Sequence, residues 1–230
     1  MRSTSPRIRN RRQGFSLVEL LTVVGIIAIL IAFLLPTLSR ARRQAAVTQC
    51  ASNLRMAAIA FNAYLVESKQ MVFWRGNPID TEGMDWYVWG GRETGNICTQ
   101  QLNLFNRIVP RPLNAYVGNK IELFHCPEDD GNNSPWATAG GANSHWDWVG
   151  NSYNFNAVGL PGSGGLPDNG LAGIRFSRVR EPSKKILFLD ASLVYPGDWH
   201  RRNKGNVCLA DGHVIFIDRP TDVSGGDYTW

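Results

Sequence analysis

The sequence predicts an α+β protein: one long N-terminal helix, its first half transmembrane, packed on a small antiparallel β-sheet. Three observations predict it. Residues 15–35 form an apolar run in which Glu19 is the one ionisable side chain. From there to about residue 66, apolar residues recur at helical spacing. Beyond that point the chain turns to short apolar runs separated by Gly-, Pro- and Asn-rich stretches, and Asp211-Gly212 stands between two of them as a hairpin signal.

These changes divide the chain into a basic leader (1–14), a hydrophobic and then amphipathic helix (15–66, transmembrane over 15–35) and an extracytoplasmic globular domain (67–230). All eight tryptophans lie beyond residue 70, and 21 of the 23 glycines beyond residue 66. The formal charge of +5 suggests nucleic acid at first sight. Yet five of the 24 basic residues are the leader arginines Arg2, Arg7, Arg9, Arg11 and Arg12, and the other 19 balance the 19 acids. The excess belongs to a short tail, and no nucleic-acid partner is expected.

As a helix, residues 15–35 span roughly 31 Å at ~1.5 Å per residue, enough for a bilayer core. A secretory signal has an apolar region of only about 7–15 residues before a small-residue cleavage site. Here the run is longer and ends at Pro36 without such a site, which favours a retained anchor. Five arginines precede it, against Arg40, Arg42 and Arg43 after it, so the N-terminus faces the cytoplasm and the body lies outside.

Glu19 is the anomaly in this run. A carboxylate inside a membrane helix costs a few kcal/mol and generally has a partner. Cleavage after Gly14 would give Phe15 a free amine able to neutralise it, in this chain or a neighbour. Alternatively, Glu19 lies at headgroup level and needs no partner.

The stretch "GFSLVELLTVVGIIAIL" resembles the type IV prepilin N-terminal cleavage and methylation motif over roughly residues 11–38. The resemblance implies that a prepilin peptidase cuts between Gly14 and Phe15 and N-methylates Phe15. It also implies that Glu19 pairs with the Phe15 amine of an adjacent subunit during assembly. Such a buried pair sets register more than it adds stability.

After Pro36, which removes one helical hydrogen bond and marks a place for a kink, two sevenfold series continue. They are Val47, Leu54, Phe61 and Ala51, Ala58, Leu65. This narrow, alanine-rich stripe predicts docking on the body's sheet, with subunit packing on the other side. Strands are predicted at 71–74, 86–89, 121–125, 152–157, 185–190, 206–210 and 213–218, and a short helix at 99–109. Residues 131–151 and 159–173 read as loops.

Four pieces of the body, "FHCPED" (124–129), "NSYNFN" (151–156), "VREPSKKILFLDAS" (179–192) and "H…GNVCLADGHV" (200–214), resemble pilin-like proteins with an H-X9-DG C-terminal signature. Ten residues separate His200 from Asp211 here, one more than the signature has.

The structural motif His200, Asp211, Gly212 reads as turn chemistry rather than a metal or catalytic site. Asp and Gly suit a type I′ turn, and His200 is expected to hydrogen-bond the hairpin. His125 and Cys126, adjacent on a strand, point to opposite faces and make poor co-ligands. No cofactor or metal is expected. Calcium is the one candidate, at Asp168, Asp190 and Asp198, although the spacing of a calcium loop is missing. Of the four cysteines, Cys98 with Cys126 is the disulfide to test first, and Cys50 reads as an unpaired packing residue. The basic clusters around Arg175–Lys185 and Arg201–Lys204 read as solvated faces, and the tryptophans as core and loop anchors.

The reading is of a structural subunit, not an enzyme. The resemblance implies a subunit in the inner membrane that assembles into a type II secretion pseudopilus or a type IV pilus-like filament. Its partners would be the peptidase, other copies and other pseudopilins, an inner-membrane assembly platform and membrane lipid. The alternative is a membrane-anchored extracytoplasmic module that binds glycan or protein. A hydrolase using His200 and Asp211 ranks last.

Overall fold

A computed structural model of the chain describes residues 16–73, 86–87, 89–94, 111–118, 120–129, 142–157, 170–194, 200, 204–218 and 229. The chain divides into two compact units, Met1–Arg42 and Arg43–Trp230. Helix α1 (Leu17–Glu67) supplies the described part of the first and opens the second.

In the first unit α1 is apolar on every face and buries none of it; Leu17 and Phe33, for example, are 79% and 73% exposed. Such a surface is stable only against another apolar phase. Pro36 lies inside α1 without ending it.

In the second unit α1 becomes one-sided. Cys50, Leu54, Ala57, Ala58, Phe61 and Leu65 are buried, and Val47 and Ala51 half-buried, along the stripe the sevenfold series predict. The small alanines let the helix approach closely, and Phe61 meets Phe73, Phe176 and Phe188 edge-to-face at 5.5–5.8 Å. Met56, Ile59 and Val66 stay exposed on the opposite side.

Four strands, β1 (Tyr153–Phe155), β2 (Ile186–Asp190), β3 (Lys204–Leu209) and β4 (Val214–Asp218), form one antiparallel sheet in chain order. Tyr153 pairs with Asp190, and Lys204 with Asp218. β2 is buried throughout. An irregularity between Ile186 and Phe188 breaks the alternation, so Leu187 and Phe188 both join the main core with α1. Ile186, Leu189, Val207 and Leu209 fill a second cluster with Leu193 and Val194. The whole is the expected α+β, pilin-like arrangement of one long helix and a small antiparallel sheet.

The predicted strands 152–157, 185–190, 206–210 and 213–218 correspond to β1 to β4 with shifted ends. Others do not form. Ile121–Phe124 is a 3-10 turn, because the segment after Lys120 folds back on local hydrogen bonds (Leu123 N–H to Lys120, His125 N–H to Glu122). Met71 makes a single bridge with Arg175, and Trp86 and Tyr87 sit in a bend, so among the described residues neither stretch forms a ladder. Inside the predicted loop 131–151 a short helix α2 (His145–Val149) forms, because Ser144 caps it by accepting the Asp147 N–H. The helix predicted at 99–109 lies outside the described residues.

The β3–β4 connection also differs from a two-residue type I′ turn. Cys208 pairs with Val214, and Leu209 N–H bonds the His213 carbonyl, leaving Ala210, Asp211 and Gly212 in the loop. Gly212 alone of these has positive φ, +89°, whereas a type I′ turn needs two such residues. A three-residue loop with glycine in the left-handed position results.

Candidate functional site

Two places concentrate chemistry. The first is the start of α1. Ser16 precedes the helix, and Glu19 is its third residue. The Glu19 Oε2 accepts the Ser16 N–H at 2.9 Å, and the Ser16 hydroxyl accepts the Val18 N–H at 3.3 Å. This is a Ser-x-x-Glu cap close to a capping box: Glu19 reaches back to the Ser16 N–H, and the Ser16 hydroxyl takes the Val18 N–H in place of that of Glu19, so two otherwise unpaired backbone donors are satisfied. The carboxylate also lies at the positive end of the helix dipole. Gly14 and Phe15 lie outside the described residues.

The second is a buried cluster of sulfur, imidazole and carboxylate. Cys50 comes from α1, Cys126 from the chain after the 3-10 turn, Asp190 from the end of β2, and His200 from the approach to β3. Each is at most 1% exposed. The Cys50 and Cys126 sulfurs lie 2.6 Å apart. His200 Nε2 is 3.2 Å from Cys126 Sγ and 3.5 Å from Asp190 Oδ2. Its Nδ1 is 3.0 Å from Glu128 Oε2, which also accepts the His200 N–H at 2.6 Å. His200 holds this place at φ +59°, unusual for a residue with a Cβ.

Asp190 Oδ2 accepts the Asn206 N–H at 2.5 Å and its side-chain amide at 3.0 Å, while Oδ1 has no hydrogen-bond partner among the described residues. Burial pushes the Asp190 carboxyl up, opposed by His200 and Asn206. Burial, the largest single influence, depresses His200, but Asp190, Cys50 and Glu128 together outweigh it and hold the imidazole at about 9. Burial also pushes Cys126 well up, with Cys50 adding to the effect. At Cys50 the same burial is outweighed by hydrogen bonds from Cys126 and His200, and its thiol is lowered. Asn53, one turn along α1, donates to the Tyr153 hydroxyl and the His125 carbonyl, fastening the helix beside the cluster.

His200 therefore does not hydrogen-bond the hairpin as the sequence suggests; two carboxylates and a thiol draw it into the core. Nor is Cys50 a lone packing residue, since its sulfur faces that of Cys126. Cys98 lies outside the described residues, as do Asp168 and Asp198. His125 ends the 3-10 turn rather than lying on a strand with Cys126, and stacks on Trp146 at 4.7 Å. Asp211 is exposed, and its Oδ1 accepts the His213 N–H at 2.9 Å, which is turn chemistry. Trp86, Trp89, Trp146 and Trp148 are buried, as core and loop anchors would be.

Comparison with known proteins bears on the first place. Residues 9–35 match the prokaryotic N-terminal methylation motif. The motif spans the end of the basic leader and the exposed apolar part of α1. It supports a prepilin-like protein of the type IV pilin and pseudopilin kind, and implies processing by a prepilin peptidase and pilin-like oligomerisation. α1 is long and apolar enough to cross a membrane and fits the single-pass anchor of such a protein. No curated protein and no solved structure matches the chain.

Proposed function

We propose that this chain is a structural prepilin-like subunit, cut between Gly14 and Phe15 and N-methylated at Phe15. It then polymerises through α1 into a type II secretion pseudopilus or type IV pilus-like filament, with residues 67–230 on the extracytoplasmic side. The methylation motif carries this reading. It is supported by the exposed apolar surface of α1, which suits lipid before assembly and neighbouring helices after it. In the second unit Met56, Ile59 and Val66 are also exposed on α1, away from its buried stripe. Partners would be the processing enzyme, other copies and pseudopilins, an assembly platform and membrane lipid.

N-terminal mass analysis of the chain isolated from membranes tests the proposal. The mature chain should begin at Phe15 and be one methyl group heavier than its sequence, and Gly14→Ala should accumulate the uncut form. A mature chain that keeps its arginine-rich head would refute processing and leave a membrane-anchored extracytoplasmic module.

A further inference from the structure

We propose that Cys50 and Cys126 form a disulfide that clasps the extracytoplasmic half of α1 to the globular body, with His200 as the buried counter-cation beside it. Both sulfurs are fully buried and lie 2.6 Å apart, brought together from positions 76 residues apart in sequence. The cluster also contains the residue types of a metal centre, since ligand atoms of Cys50, Cys126 and His200 lie within 4.8 Å of one another. The geometry argues against that use. Two thiolates held about 2.3 Å from one tetrahedral zinc stand roughly 3.7 Å apart. A closed zinc site also needs a fourth ligand, and the group that could share an ion holds three, Cys50, Cys126 and His200.

Charge points the same way. Glu128 and Asp190 face His200 from two sides. A neutral disulfide leaves the imidazolium to balance these two carboxylates, whereas a metal held by the imidazole would displace one of its protons. Formation balances as thiol–disulfide exchange: the two thiols and one external disulfide, supplied by a thiol–disulfide oxidoreductase, give the Cys50–Cys126 bond and two external thiols. His200 is a positioning residue here, its Nε2 beside Cys126 Sγ. The clasp lies where the amphipathic stripe of α1 begins to bury, and so ties the helix used for assembly to the body it carries. It rests on the extracytoplasmic placement proposed above, because a reducing compartment would keep the thiols free.

The test uses the full-length chain, acid-quenched from cells, denatured and alkylated with N-ethylmaleimide before any reduction, then mapped by peptide mass. The expected result is that Cys50 and Cys126 label only after reduction, and that their two peptides are found joined and two hydrogens lighter. Cys50→Ser should make Cys126 label without reduction. Reductant should lower the Tm of the detergent-solubilised wild type and leave a Cys50→Ala/Cys126→Ala chain unchanged. Thiols that label in cells but join when the purified chain meets glutathione disulfide support the pairing and count against the extracytoplasmic placement. A Cys98–Cys126 link overturns the proposal. So do two thiols that label under both conditions, or zinc retained one-to-one by the purified chain with both thiols reduced.

Discussion

The Glu19 carboxylate accepts the backbone N–H of Ser16 at 2.9 Å, so the acid at the head of the long apolar helix closes that helix's own first turn. The cap gives Glu19 a role within one chain that needs no neighbour. The proposed role toward an adjacent Phe15 amine needs charge, and the two can be separated. Glutamine is also a capping-box residue at this position, whereas alanine is not. Both Glu19→Gln and Glu19→Ala should be cut after Gly14 as efficiently as wild type, and both should fail to enter filaments. Filament fractions probed for the subunit, with N-terminal analysis of the membrane pool, give the two readouts. If Glu19→Gln assembles normally, charge is not what assembly requires and the cap suffices.

The start of α1 was within reach of the sequence because its signals are local. A 21-residue apolar run, a carboxylate and a Ser-x-x-Glu spacing all fall within two dozen residues. The cap is nonetheless easily overlooked, because a glutamate in a membrane segment draws attention to its charge. β3 and β4 were legible from the apolar runs flanking Asp211-Gly212, and β2 from the apolar run at 185–190. By contrast, "IELFH" has the composition of a strand but is too short to distinguish from a turn by periodicity. The cluster of Cys50, Cys126, Asp190 and His200 was not legible at all. Its members come from four separate segments, and only tertiary packing on α1 brings them together.

Asp190 should be among the least replaceable residues of the body. Its Oδ2 accepts two hydrogen bonds from Asn206 at the β2–β3 junction and faces the His200 ring. Asp190→Ala would leave a buried N–H unpaired and the imidazolium without one of its carboxylates, a change of about 3 kcal/mol or more. Asp190→Asn keeps an acceptor for Asn206 and should lose less. Denaturant unfolding of the detergent-solubilised chain, followed by near-ultraviolet circular dichroism, measures both. Equal losses for the two variants would mean that the hydrogen bonds to Asn206 contribute little.

Two buried histidines should set opposite limbs of the stability–pH curve. His200, facing Asp190, Glu128, Cys50 and Cys126, is raised from 6.5 to about 9. Its stabilisation is therefore complete below pH 6.5 and is lost as pH rises toward 9. Burial lowers His145 from 6.5 to about 3, so its contribution is complete above pH 6.5 and falls away as pH drops toward 3. Tm against pH should peak near 6.5. His200→Asn, whose side chain tolerates the left-handed backbone at this position, should flatten the basic limb and leave the acidic limb in place. The Cys50→Ala/Cys126→Ala chain should keep the basic limb, because Asp190 is the largest influence raising His200. A basic limb that survives His200→Asn would assign it to another group.

Gly150 joins the end of α2 to the segment around Arg92, and no other residue fits there. Its φ is +73°, its N–H bonds the Trp146 carbonyl, and its own carbonyl accepts the Arg92 N–H. A Cβ at Gly150 would overlap the Arg92 backbone oxygen, and one at Gly91 would overlap the Gly150 oxygen, so the two strands of chain touch through their glycines. Backbone cannot swing aside as a side chain can. Gly150→Ala therefore combines left-handed strain, about 1–2 kcal/mol, with a displacement of the chain. Gly118 separates the two contributions: at φ +59° it has open space around it, so Gly118→Ala should show the strain alone. In side-by-side denaturant unfolding, Gly150→Ala should lose at least about 1 kcal/mol more than Gly118→Ala. Equal losses would mean that the chain near Arg92 yields without cost.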